Sequence, residues 1–422
     1  MRKLHVLLIL TILGILDVGV FTIYIPRNQS IQLPLDIDYI ENGPYTGNYL
    51  VTDTLGPVRI VTLDLELLWE STLPSGFTHE ASMLPNGNIL VADTGNERAI
   101  ELNINDPTEI LWEWDPRDSN DINWTEFGIS NGWGEDALAY VQDMYPANND
   151  WTRMNDAEFI NGTKYGRTYD TILISLRNMD LIIEVNYTET KEIVWHYGEP
   201  TVRDILGHQH NPDRLDNGNT IIRDSDNHRM IEINTTTNEI VWEFSLEFPN
   251  GELRWARDCD DLGDGTYLIT DSNNGRVFIL DKESKQIIRE YGVGVLVQPY
   301  EADLVEINGE TKILVGTTDL SAIVLIDPQT GFCIVSGIAW LLNFLQVLAV
   351  LVAIYYAWRV FDSVKSAENV TLSKQLTKIE SYREIFHLTF SIMLLFLIPA
   401  IYRFIWWLGF YHTMELVTGL LW

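Results

Sequence analysis

One segment of this chain repeats in register, and that repeat limits the fold more than any other feature. HEASMLPNGNILVADTGNERAIELN (79–103) matches HNPDRLDNGNTIIRDSDNHRMIEIN (210–234) without a gap, and then RDCDDLGDGTYLITDSNNGRVFILD (257–281). A short run with a large residue follows each copy: ILWEW (110–114), EIVWEF (239–244) and QIIREY (286–291). Looser copies occupy 153–197 (ILISLRNMDLIIEVN, EIVWHYG), 301–327 (KILVGTTDLSAIVLID) and 47–71 (GNYLVTDTLGPVRIVTLD, LELLWES), which brings the series to six.

Each unit reads as a strand, a turn (PNG, DNG, GDG), a strand, a second turn (DTGN, DSDN, DSNN), a strand and an outer strand. Four short strands per unit, recurring about every 45–80 residues, mark propeller blades. The sequence therefore predicts an all-β, six-bladed β-propeller over 26–331, in which helical periodicity is absent. Closure into a ring leaves few open strand edges. The segment 31–40 (IQLPLDIDYI) supplies a strand that completes one blade, without a signal for which. The insertion 115–152 falls outside the repeat and carries Trp124, Trp133, Tyr140, Tyr145 and Trp151, an aromatic content unlike that of disordered chain.

Three apolar runs flank this region, at 4–24 and roughly at 334–358 and 386–410, each long enough for a bilayer core of roughly 30 Å. No small-x-small site follows the first run before Pro26, so it reads as a retained anchor more readily than as a cleaved signal. Arg2 and Lys3 precede it, and Arg359, Lys365, Lys374, Lys378 and Arg383 separate the other two. Positive residues stay on the cytoplasmic side, which puts 26–331 outside. The expected organisation is an anchor at 1–25, the propeller at 26–331, membrane helices at 332–358 and 385–411, a cytoplasmic loop at 359–384 and an outer tail at 412–422. That makes the chain a multi-pass protein of the cell membrane, with lipid as a partner. Asn28, Asn123, Asn161, Asn186 and Asn234 head glycosylation triplets in the outer part.

Formal net charge is −32, which argues against nucleic acid as a partner. An anionic substrate would need a local cluster of Arg and His. Cys259 and Cys333 offer no disulfide framework, no zinc spacing is present, and DSDN and DSNN do not fit an EF-hand loop. No metal or cofactor is implied.

The repeat itself supplies such a cluster. The start of each innermost strand faces the central channel. Fourteen residues before the Asp of each second turn stand His79 (from Asp93), His210 (from Asp224) and Arg257 (from Asp271). The looser repeats put Arg153 or Asn155, and Glu301, nearby. In the third unit, LISLRN laid against ILVADT places Arg177 at the turn Asp. The turn aspartates themselves read as hairpin formers.

In order, DWTRMND (150–156) with ISLRN (174–178), HQHNPDRL (208–215) with DNGNTIIRDSDNHR, and RWARDCDDL (254–262) with ITDSNNGR resemble the arylsulfate sulfotransferases, in the form found among archaeal membrane proteins. The resemblance spans nearly the whole outer region. It implies ping-pong transfer of a sulfuryl group from an aryl sulfate to a phenolic acceptor, without a nucleotide donor. By motif, His210 would carry the group as a sulfohistidine. His79 and Arg177 would contact its oxygens, and Arg153, Asn155, His208 and Arg257 would line the substrate site. Arg153 stands where the family usually has a histidine. Arginine holds an anion but releases no proton near neutral pH, so His208 is the available substitute. The competing readings are a non-catalytic surface propeller that binds a sulfated or other ligand or a protein, and a glycan-bearing spacer.

Overall fold

The short hydrophobic runs of the repeat form strands because Gly-centred turns fold each back on its neighbour. In the second unit the Gly87 amide donates to Leu84 O at 2.8 Å, with φ of 86° at Gly87. The fourth unit does the same from Gly218 to Leu215 O at 2.9 Å. The computed structural model describes residues 22–25, 34–54, 57–72, 77–144, 150–246, 253–318 and 322–337. These build six antiparallel sheets in a ring, each with its own four consecutive strands. The innermost strands are Pro34–Tyr39, Glu80–Met83, Met154–Ile160, His210–Arg214, Ala256–Asp261 and Pro299–Ile307.

The unassigned segment 31–40 thus contains the innermost strand of the first blade, paired with Tyr49–Asp53. The sixth blade runs past the expected boundary at 331, because Cys333–Gly337 is its fourth strand. Thr22–Ile25 adds a fifth strand to that sheet, parallel to Cys333–Gly337. The end of the first apolar run and the start of the second are therefore strand. The remainder of both runs, and the whole of the third, lie outside the described residues. Among the described residues no helix is long and apolar enough to cross a membrane. Both cysteines are free and buried.

The core lies in the seams between blades. Leu50 and Ile60 of the first blade pack with Ile89 and Ile100 of the second. Leu173 and Ile182 of the third meet Ile222 and Ile231 of the fourth. Ile37 and Val51 meet Val305 and Leu314 of the sixth blade, which closes the ring. Hydrophobic burial of this kind contributes about 25 cal/mol per Å² of apolar surface.

Second turns repeat one polar device. Asp93 accepts from Asn96 Nδ2 at 2.8 Å and Arg98 Nε at 2.8 Å, and Asp224 from Asn227 Nδ2 at 2.9 Å and Arg229 Nε at 2.6 Å. Asp271 does so from Asn274 at 2.8 Å and Arg276 at 2.7 Å. These aspartates hold the hairpins, as the turn chemistry implied.

The insertion departs from the expectation that helix is absent. It forms α1 (Trp124–Ser130) and α2 (Glu135–Met144). Asn123 caps α1 by accepting from the Glu126 amide at 3.2 Å. Gly128 is required there, because a Cβ would lie 2.6 Å from the Trp133 ring. Trp124 packs against Trp114, Trp133 and Trp151 with ring centroids 6.0–6.4 Å apart. The tryptophans therefore pack the insertion onto the second and third blades.

Candidate functional site

Strand pairing defines which residues share a level of the channel. Glu80 pairs with Ala92, Asp156 with Ser175, Asp258 with Thr270 and Glu301 with Gly316. The residues just before these are His79, Asn155, Arg257 and Tyr300, the last three each within a bulge. His210 joins that level in the fourth blade, since it meets the hydroxyl of Ser225 as His79 meets that of Thr94, and Leu35 completes it in the first. Of the two third-blade candidates, Asn155 takes the position and Arg153 does not. One sequence assignment shifts: Tyr300, not Glu301, takes the sixth.

Arg177 also moves by one place. Leu176 pairs with Leu181 as Asp93 pairs with Arg98, so Leu176 is the counterpart of the turn aspartates. Arg177 opens the following 3-10 turn, as Thr94 and Ser272 do in theirs. LISLRN offers no Asp to fix the alignment, and only the hairpin pairing sets it.

Tyr300 gathers the site. Its ring centroid lies 6.0 Å from His79 and 6.4 Å from His210, and the Arg257 guanidinium sits 4.2 Å from it. The Arg177 and Arg257 guanidiniums both lie over the Trp255 ring, at 5.8 and 5.9 Å from its centroid. His79 packs edge-on against Phe77 at 4.2 Å, and Arg153 lies 5.1 Å from that same ring. The acidic chain thus concentrates two histidines and three arginines at one mouth.

Backbone carbonyls fix the tautomer of both histidines. His79 Nδ1 is 2.8 Å from Thr94 Oγ1, whose own proton faces Met154 O at 2.5 Å. His210 Nδ1 is 2.9 Å from Ser225 Oγ, whose proton faces Ala256 O at 2.8 Å. A hydroxyl has one proton, so each accepts from Nδ1–H, and each Nε2 keeps its lone pair. Burial, then the nearby arginines, holds both imidazoles well below the usual histidine pKa and therefore neutral. In Arg177, burial and then Arg153 push the guanidinium down to about 10.

Of the remaining candidates, Arg153 and His208 are partly exposed. Arg153 is a third exposed and bonds Asp150 Oδ2 at 2.8 Å. Asn155 is buried, and its Nδ2 donates to Gln209 O at 2.9 Å. His208 does not meet the central histidines as a free acid. Its Nδ1 is 2.6 Å from Asp226, and its Nε2 is 3.1 Å from Arg203 Nη2. Arginine only donates, so that Nε2 is an acceptor, and the substitution suggested for Arg153 fails on this geometry. Tyr140 of α2 reaches the carbonyls of Trp151 at 3.1 Å and Asn178 at 2.8 Å, steadying the segments that bear Arg153 and Arg177.

Below this level the sequence reading missed a second feature. Asp36, Glu80, Asp156, Asp258 and Glu301 form a ring of carboxyls, with Asn211 as its fourth-blade member. Asp38, Glu158, Asp213, Asp260 and Asp303 follow two residues later on the same strands. Burial pushes Asp156 up to about 7, against Arg223 and with Asp213 and Asp36 adding to the rise. Burial pushes Asp258 up to about 6, with Arg223 opposing and Asp213 adding. A folded-state pKa above the unfolded value makes stability full below about pH 4 and lost as pH climbs through about 6–7. The melting temperature should therefore fall between about pH 4 and about pH 7, each carboxyl that is protonated only in the folded state removing about 1.4 kcal/mol per pH unit. A melting temperature flat or rising across that window contradicts buried, protonated carboxyls.

No match was found among curated proteins. Solved structures give distant likenesses. Streptogramin B lyase shares 13% identity at a TM-score of 0.47, covering 72% of this chain and 83% of that one. Virginiamycin B lyase from Staphylococcus aureus shares 11% at 0.45, covering 71% and 82%. A protein of unknown function from Bacteroides caccae shares 16% at 0.43, covering 62% and 82%. The family match is closer to the chemistry: it takes in His79, Arg153, Asn155 and Arg177 and ends just before His208 and His210. The resemblance read from the sequence stands for residues 46–204, which match the model of the arylsulfotransferase (ASST) family.

Proposed function

We propose that the channel mouth transfers a sulfuryl group from an aryl sulfate to a phenol, with His210 carrying the group between them. The observation that carries this reading is the Ser225 lock, which leaves His210 Nε2 with a lone pair in a buried, cation-lined site. The Nε2 pair attacks sulfur as the bond from sulfur to the aryl oxygen breaks, and that bond's electrons leave on the phenoxide. Arg177 and Arg257 offset the charge on the sulfuryl oxygens. The acceptor phenol then attacks sulfur, the N–S electrons return to Nε2, and the acceptor's proton balances the departed phenoxide. His79 carries the same lock; the choice of His210 rests on the resemblance at HQHNPDRL. The apolar runs and their basic flanks support a propeller outside the membrane.

Neither Arg153 nor His208 is placed to protonate the leaving phenoxide. The wild type should therefore favour aryl sulfates with acidic phenols as leaving groups. Arg153→His should raise turnover of poor leaving groups toward the roughly hundredfold that a general acid supplies at the low end. Nitrophenyl sulfate should change little. Rates for a series of substituted phenyl sulfates with a fixed acceptor test this reading. Absence of wild-type transfer from any of them sinks the proposal, and equal rates across the series sink the role given to Arg153.

A further inference from the structure

We propose that the channel binds one hard divalent cation between the first and sixth blades, held by the carboxylates of Asp36, Asp38 and Glu301. One oxygen from each of these residues lies within 4.8 Å of the others. Oxygens on opposite sides of a calcium ion, each about 2.4 Å from it, are about 4.8 Å apart. Asp36 is only 2% exposed, and its Oδ1 has no hydrogen-bond partner among the described residues. Its Oδ2 takes the Ala81 amide at 2.8 Å, while Glu301 Oε2 takes the Ile37 amide at 3.2 Å. What faces Asp36 from the sixth blade is the Glu301 carboxyl, and two ionised carboxylates need a proton or a cation between them.

The same ring shows what such a cluster takes when the chain supplies the cation. Asp213, Asp258 and Asp260 form a second such group, in the fourth and fifth blades, also within 4.8 Å of one another. There the buried Arg223 guanidinium bonds Asp213 and, at 3.1 Å, Asp258. Arg223 is the penultimate residue of Thr220–Asp224, and the penultimate residue of Glu310–Thr317 is Gly316, which brings no charge. Among the described residues, the first-and-sixth-blade cluster therefore lacks the built-in cation of its counterpart. An all-oxygen carboxylate set selects calcium or magnesium over softer metals. Bound there, the ion ties the two blades whose contact closes the ring.

The test uses the full chain, stripped with a chelator and titrated with calcium chloride by calorimetry, with metal content measured after dialysis. The expected result is about one calcium per chain and a melting temperature that rises with calcium concentration. Asp38→Asn should weaken binding on the order of tenfold or more, since affinity follows the number of charged ligands. His210→Asn should bind calcium as the wild type does, which separates this site from the transfer reaction. If folded wild type takes up neither calcium nor magnesium at about millimolar concentration, the carboxyls hold protons instead and the proposal is overturned. Unchanged binding in Asp38→Asn overturns the ligand assignment. If that variant does not fold, Glu301→Gln and the wild-type titration decide.

Discussion

His210→Asn should abolish sulfuryl transfer, a loss on the order of four to six decades in turnover, as removal of a catalytic nucleophile produces. Asparagine can still bond Ser225, so folding should survive and the loss should sit in the chemistry. Aryl sulfate affinity should persist, because Arg177 and Arg257 remain. The comparison needs the two proteins' transfer rates and their melting curves together. A folded variant that keeps more than about a tenth of the rate would remove His210 from the mechanism.

Arg223→Ala should have the largest effect on stability, about 3–5 kcal/mol, because it leaves buried carboxylates without their counter-charge. The side chain is fully buried and bonds Asp213, Asp258 and the Cys259 carbonyl. Asp258 is neutralised by protons below about pH 6, where its pKa lies. The loss should therefore be smaller near pH 5 than near pH 8. Urea denaturation at both pH values measures it. A loss under about 1 kcal/mol at the higher pH contradicts the ring of buried charge.

The blades were legible because three repeats align without a gap, and their Gly turns and paired Asp and Arg are local signals. The third blade was harder. Its first hairpin is lengthened by Asn161–Asp170, and Leu176 replaces the turn aspartate, so the register of Arg177 slipped by one. Tyr300 was missed for a related reason: the bulge before Glu301 shifts which residue faces the mouth, and a bulge leaves no mark in the sequence. The carboxyl ring was hidden by its own pattern. LDIDY, NDAEF, RDCDD and YEADL alternate acid with apolar residues, which on an ordinary sheet reads as a solvated face. Only closure of six such strands around one axis buries it. The two helices of the insertion were obscured because a cluster of tryptophans, rather than a periodic apolar stripe, holds them in place.

The pH response of transfer follows from the same histidine. Burial lowers the His210 pKa, so its neutral form persists below the ordinary histidine range and the acid limb of the rate profile should lie below about pH 6.5. The most direct test of the whole account is mass spectrometry of acid-sparing digests after brief exposure to an aryl sulfate without acceptor. The expected result is a single added SO₃ on the peptide containing His210, lost again when a phenol is supplied. Turnover with no protein-bound sulfuryl group, or a group carried on His79 instead, would contradict it.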